Sequence, residues 1–145
     1  EQIDVQGEWV MVSAAALGNP HVVTFDRLDK ATRLRLGPAL SEHPLFPQQA
    51  NVSFARVRSK VGAAVAHIEL EVYERGCGWT RACGTAATVV AFIAVQQGVV
   101  AAGCPIDVEL PGGILRIELD VDGVATMTGP AVEVYRGRVD LDGRT

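Results

Sequence analysis

The sequence of 145 residues has no run of about 18–20 consecutive apolar residues, so no segment resembles a transmembrane helix. Its N-terminal region also lacks the basic, apolar and small-residue order of a signal peptide. The 13 Lys and Arg residues are scattered and the net charge is −4, whereas nucleic-acid binding needs clustered cations. We therefore expect a cytoplasmic protein with neither nucleic acid nor a membrane among its partners.

Cysteine is scarce as well. Cys77, Cys83 and Cys104 form neither a CxxC redox pair nor a zinc pattern, because the closest two are separated by five residues. An odd number of cysteines with this spacing favours a reducing compartment over a disulfide-linked secreted fold. We expect no metal site.

The remaining composition is that of an ordinary globular domain, with 48% hydrophobic and 21% charged residues. The length predicts a single domain over residues 1–145. Strands are predicted at residues 8–13, 21–25, 51–58, 67–74, 106–110, 114–119, 124–128 and 132–141. Residues 29–43 predict one or two short helices interrupted at Gly37 and Pro38, and the apolar residues from about 84 to 102 predict a central buried helix ended by Gly103. The predicted class is α+β.

The loop before the apolar helix carries the strongest chemical signal. The first amides of a helix have no partner within it and, with the helix dipole, attract an anion the size of a carboxylate. Gly84 permits a close approach to these amides, and Thr85 adds a hydroxyl group. Thiols at helix N-termini ionise more readily than free ones, which makes Cys83 a candidate base. The alternative is that Cys83 is only a small buried side chain.

A second candidate is the turn at residues 18–21, Gly-Asn-Pro-His. Asn19 can donate and accept hydrogen bonds, and His21 can exchange a proton near neutral pH. The turn is also explained by backbone preferences alone. His43 and His67 have no supporting context.

Several blocks, taken together and in order, resemble the C-terminal half of the diaminopimelate epimerase family. They are GNPH at 18–21, LGP at 36–38, EHPLFP at 42–47, AN at 50–51, YERGCGWTRACGT at 73–85, ELPGG at 109–113 and MTGPAVEVY at 127–135. The resemblance implies a curved mixed sheet wrapped around a central helix, in one of two similar domains. It also implies inversion of the α-carbon of LL-diaminopimelate to the meso form, for lysine and peptidoglycan synthesis, without pyridoxal phosphate, metal or other cofactor.

The resemblance also assigns roles to residues. It implies that Cys83 is one of two catalytic cysteines and that His21 and Glu74 orient and tune it. It implies that the substrate is bound by Asn19, Asn51, Glu74, Arg75, Gly84 and Thr85. Two positions depart from the family pattern, since Trp79 stands where Glu is common and Ala86 where Gly is usual. These departures leave the exact substrate open.

The N-terminal half of the family, with its own cysteine, has no counterpart here. Cys77 lies in the same loop as Cys83 and is badly placed for the opposite face of the substrate. We therefore expect that the N-terminal half is absent and that this chain alone is inactive. Its expected partners are an amino-acid substrate and the missing half; a homodimer stays open. The alternatives are a proline-racemase-like or phenazine-biosynthesis-like isomerase, a non-catalytic binding domain, and a Cys–His hydrolase.

Overall fold

A computed structural model of the chain describes residues 1–59 and 62–139. The strands are β1 (Gln2–Val5), β2 (Glu8–Met11), β3 (Ser13–Ala16), β4 (Pro20–Thr24), β5 (Asn51–Val57), β6 (Ala66–Glu74), β7 (Gly78–Thr80), β8 (Ile106–Leu110), β9 (Gly113–Leu119) and β10 (Ala125–Thr128), and the helices are α1 (Lys30–Ser41) and α2 (Gly84–Gln96). The expected α+β class is confirmed.

Most of the strands form one mixed sheet in the order β10-β9-β8-β6-β5-β4-β3, with β7 paired to β6. The pairs β4–β5 and β6–β8 are parallel, and the others in this sheet are antiparallel. Strands β1 and β2 form a separate two-stranded antiparallel sheet. A tight hairpin joins only antiparallel strands, so each parallel pair needs a crossover connection. The connection from β4 to β5 contains α1, and the connection from β6 to β8 contains α2.

Helix α2 is mostly apolar and lies in the curl of the large sheet. It contacts strands from one edge of the sheet to the other, including the edge strands β3 and β10. Its residues Ala87, Val90 and Ala94 are fully buried against strand residues such as Ile68 and Val108. Seven of its 13 residues are buried, so the sheet has to curve around much of the helix surface to cover them. The predicted central buried helix is confirmed.

The other face of the sheet carries α1 and the β1–β2 hairpin. Leu36 and Leu40 are fully buried there in a second apolar cluster with Val22 and Val52. Helix α1 begins at Asp29, whose carboxylate accepts a hydrogen bond from the Thr32 amide at 2.7 Å. The sheet thus separates two cores.

Helix α1 is continuous, so the predicted interruption at Gly37 and Pro38 is wrong. Pro38 lies in the last part of the helix, where its missing N–H removes one bond. Burial of Leu36 and Leu40 on either side outweighs that loss. Gly37 allows the Trp79 ring to pack closely against the helix, because a Cβ at this position would lie 2.8 Å from Cζ2 of Trp79.

Other strands and the end of α2 also differ from the sequence predictions. The predicted strand 8–13 is divided at Val12 between β2 and β3, which belong to different sheets. Helix α2 ends at Gln96 rather than near 102, because Gly98 adopts φ +68° and the amides of residues 99 and 100 turn back to the Ala94 carbonyl. Strands β1 and β7 were not predicted, being only 4 and 3 residues long.

The predicted last strand, 132–141, is wrong over its described part. Residues 132–139 form no strand and are exposed. Residues 140 and 141 lie outside the described residues. No helix in the described ranges is long and apolar enough to cross a membrane.

Candidate active site

A row of three polar residues crosses the sheet on the face that α2 covers. Val23 of β4 and Val72 of β6 pack in the core around α2, and His21 and Glu74 lie two residues away on the same strands. Because alternate residues share a face, they point to the same side. Asn51 of β5 is paired with His21 and lies next to Glu74 on the neighbouring strand. The sheet thus places side chains distant in sequence in one line.

Cys83 lies at the start of α2 and is its N-cap residue, with an extended backbone (φ −149°, ψ 107°). Its side chain makes no capping hydrogen bond, so the first amides of α2 keep their hydrogen-bonding capacity. The Sγ atom is half-buried at the edge of the core and lies 3.4 Å from Oγ1 of Thr85. A thiol, a hydroxyl and unpaired amides therefore share the beginning of the helix.

His21 is almost fully buried, and its hydrogen bond fixes which nitrogen carries the proton. Its Nε2 lies 3.0 Å from Oδ1 of Asn19. Since an amide oxygen only accepts, Nε2 is the donor and Nδ1 holds the lone pair. Burial lowers the pKa of His21 below its usual value, and the negative charge of Glu74 opposes this effect. The imidazole is therefore neutral at neutral pH.

The loop after β6 is held by the residues expected to bind substrate. Oδ1 of Asn51 accepts a hydrogen bond from the Arg75 amide at 2.9 Å, and Nη1 of Arg75 donates to the Gln48 carbonyl at 2.7 Å. Glu74 accepts a hydrogen bond from the Thr80 hydroxyl. Asn51 and Glu74 thus set the conformation of the loop that leads to Cys83.

The structure brings the expected residues together in two groups. One contains His21 and its partner Asn19 with the row across the sheet; the other contains Cys83, Gly84 and Thr85 at the start of α2. Within the described residues, 1–59 and 62–139, no hydrogen bond joins Cys83 to His21 or Glu74.

Sequence reasoning missed two neighbours of this site. Thr80 binds Glu74 because the short hairpin of β6 and β7 brings Gly78 opposite Glu74. Met127 of β10 lies over the start of α2, where a Cβ on Gly84 would be 3.1 Å from its Sδ. In the sequence, the glycine at position 84 indicates that some group approaches the backbone closely there. It does not indicate that this group is Met127.

The other cysteines and histidines lie elsewhere. Cys77 is exposed in the loop after Glu74, and Sγ of Cys104 lies 3.5 Å from the Ala63 carbonyl. His43 contacts the Asp4 carbonyl, and His67 pairs with Glu109. The described residues contain no cluster of three or more His, Cys, Asp or Glu side chains that could hold a metal ion.

Trp79 lies on the face opposite the polar row. Its ring stacks on Phe54 at a centroid distance of 5.7 Å and meets the edge of Tyr73 at 5.6 Å. It also closes over Gly37 of α1. The Trp79 side chain thus completes the apolar packing under α1. Ala86, the other departure, is fully buried in the first turn of α2.

Comparison with known proteins gives this geometry a family. The sequence pattern described as "Diaminopimelate epimerase" matches residues 13–134. The chain belongs to the diaminopimelate epimerase family. Relatives named diaminopimelate epimerase include one from Ectopseudomonas mendocina, 44% identical over 142 residues, and one from Azotobacter vinelandii, 43% identical over 142 residues. Each alignment covers 97% of this chain and 49% of the relative, so the chain spans about half the length of these epimerases.

Solved structures with a similar fold belong to the PhzF family of phenazine biosynthesis proteins. The Bacillus anthracis protein gives a TM-score of 0.54 at 18% identity, covering 81% of this chain and 38% of that one. The Enterococcus faecalis protein gives 0.53 at 17% identity, covering 77% and 40%. At this identity the likeness concerns the fold alone, and it confirms the expected curled sheet around a helix.

Proposed function

We propose that this chain forms one half of the active site of a cofactor-independent epimerase that interconverts LL- and meso-diaminopimelate. The observation that carries the proposal is Cys83 at the N-terminus of α2, with a side chain free of capping duty beside unpaired helix amides. The names of the relatives support the same isomerase reaction. Such an enzyme serves lysine and peptidoglycan synthesis, and we place it in the cytoplasm.

The start of α2 suits the substrate's α-carboxylate. Amides at a helix N-terminus stabilise negative charge, and they do so most where charge develops during the reaction. In this proposal Gly84 and Thr85 hold the α-carboxylate, and the electron pair left by the α-proton is delocalised into it. Gly84 lets the carboxylate approach the backbone, and the Thr85 hydroxyl lies next to the thiol.

The reaction needs two bases on opposite faces of the α-carbon. The Cys83 thiolate removes the α-proton and becomes a thiol, which leaves a carbanion next to the carboxylate. A second acid on the other face then donates a proton to that carbon and becomes the new base. Each turnover thus exchanges the protonation states of the two groups, without any net change in the enzyme's proton count.

The polar row is proposed to hold the rest of the zwitterionic substrate. Neutral His21 and Asn19 form one hydrogen-bonded unit, and Asn51 and Glu74 lie beside it on the same face. A carboxylate such as Glu74 binds an ammonium group, and a guanidinium such as Arg75 binds a distal carboxylate. These roles remain proposals for all six expected binding residues.

The second base is proposed to come from the half of the relatives that this chain does not cover. Cys77 is exposed, and its amide bonds back to the Glu74 carbonyl within the loop that precedes Cys83. It therefore lies in the turn between β6 and β7, and β7 separates it from Cys83. We propose that the partner is an N-terminal half equivalent to the part of the relatives that this chain does not cover, and that the chain alone does not epimerise.

The identity of the substrate is tested by reconstituting a two-half enzyme. The chain is mixed with the uncovered half of the Ectopseudomonas mendocina relative, and α-proton exchange is measured on diaminopimelate and on proline. Exchange restricted to diaminopimelate supports the proposal. Exchange only on proline points to a different amino-acid racemase. Binding of diaminopimelate without exchange would make the chain a binding domain.

A further inference from the structure

Two buried polar atoms on the α2 face of the sheet have no hydrogen-bond partner among the described residues. They are Nδ1 of His21 and Oγ of Ser53. Both side chains are almost fully buried, His21 being 1% and Ser53 0% exposed. A buried polar atom without a partner destabilises the folded state, so native proteins rarely keep one without a reason.

The register of the sheet places these two atoms near each other. His21 is paired with Asn51 across β4 and β5, and Ser53 lies two residues further along β5 on the same face. With strands about 4.8 Å apart and a rise of about 3.3 Å per residue, the two Cα atoms lie about 8 Å apart. The two atoms make no hydrogen bond to each other, so a link between them has to pass through a third group.

The surroundings leave Ser53 few other partners. On the two neighbouring strands it is paired with Val23 and Val72, both in the apolar core. The polar side chains beside it on this face are Asn51 and, diagonally, His21 and Glu74. A buried water is stable when it has two to four polar partners, and these three side chains supply them.

We propose that Ser53 is a positioning residue for His21, which it reaches through one buried water that joins Ser53 Oγ to His21 Nδ1. The water donates to the Nδ1 lone pair, which keeps the proton on Nε2 and preserves the bond from Nε2 to Asn19 Oδ1. Ser53 thereby fixes the tautomer and the ring orientation of His21 without touching the substrate. The catalytic meaning rests on the proposed function, but the contact itself does not.

The test measures the histidine nitrogens of the full 145-residue chain by ¹⁵N NMR, in the wild type and in Ser53→Ala. We expect the Nδ1 resonance of His21 to move toward the value of a neutral nitrogen that accepts no hydrogen bond. The matched control is Thr24→Val, which removes a buried hydroxyl from the same strand as His21 but from its opposite face. We expect that variant to leave the resonance in place.

The proposal is overturned if Ser53→Ala moves the Nδ1 resonance no further than Thr24→Val does. Because the measurement needs neither substrate nor the half that this chain does not cover, its result is independent of the epimerase assignment. A shifted resonance in a chain that never supports α-proton exchange would retain the Ser53 contact and reject the proposed function. An unshifted resonance in an active reconstituted enzyme would do the reverse.

Discussion

The two faces of the large sheet are built from the same strands but differ in what they bury. On the α1 face, Leu36 and Leu40 pack against apolar strand residues, and Trp79 completes that layer. On the α2 face, the apolar core ends in buried His21 and Asn51. Burying a polar group costs stability unless it is hydrogen-bonded, and here Nδ1 of His21 has no partner among the described residues. The difference separates residues that hold the fold from residues that the proposed reaction requires.

The largest expected effect that separates the faces is the loss of catalysis in Cys83→Ser. In the reconstituted enzyme we expect turnover to fall by about 10²- to 10⁴-fold, because a hydroxyl is a far weaker base than a thiolate. Stability should stay the same or rise by up to about 1 kcal/mol, since Ser is a better N-cap than Cys. Kinetics and urea unfolding measure the two effects. Cys104→Ser is the control, and equal losses in both variants would refute a catalytic Cys83.

The opposite outcome is expected from Leu36→Ala on the α1 face. Leu36 is fully buried, so its truncation should lower the free energy of unfolding by about 2–5 kcal/mol. At a temperature where the variant remains folded, turnover of the reconstituted enzyme should change little. Urea unfolding and the exchange assay test this pair of results. A loss of turnover as large as that of Cys83→Ser would show that the two faces are not separate in function.

Gly37→Ala tests the contact that places Trp79 on the α1 face. The new Cβ would lie 2.8 Å from the Trp79 ring, so we expect a destabilisation of about 1–3 kcal/mol. In a Trp79→Ala background the same change should cost less, because only the 3.2 Å approach to Cβ of Tyr73 remains and Ala is a better helix former than Gly. A double-mutant cycle by urea unfolding measures this reduction. Equal effects in both backgrounds would mean that Trp79 lies elsewhere.

The smallest effect concerns the pH dependence of stability on the α2 face. Burial lowers the pKa of His21, so below about pH 6.5 the unfolded chain binds a proton that the folded chain does not. The free energy of unfolding should therefore fall as pH decreases through this range and be fully recovered above it. His21→Gln should reduce this slope, as unfolding between pH 5.5 and 7.5 would reveal. An unchanged slope would contradict the burial of a neutral His21.

The sequence predicted the parts of this fold that have a long period or a sharp motif. The apolar helix beginning at Gly84 and the Gly-rich loop before it were predicted from residue type alone, and Cys83 is indeed the N-cap residue. The end of α2 was misjudged because Gly98, rather than the later Gly103, adopts the positive φ that ends the helix. Neighbouring residues do not determine which of two glycines will do so.

The candidate site was less predictable than the fold because it depends on register. His21, Asn51 and Glu74 form a row only because β4, β5 and β6 pair as they do. The face of Trp79 depends on β7, whose 3 residues are too few to show an alternating pattern. The partners of Glu74 and Gly84, which are Thr80 and Met127, come from pairing and curvature that the sequence does not display.

The central claim is that this chain carries one base of a two-base site, and α-deuterium exchange in D₂O tests it most directly. Diaminopimelate is incubated with the 145-residue chain alone, and with the chain plus the uncovered half of the Ectopseudomonas mendocina relative. We predict no deuterium incorporation by the chain alone, incorporation with inversion when the half is added, and loss of both in Cys83→Ser. Inversion by the chain alone would contradict the account.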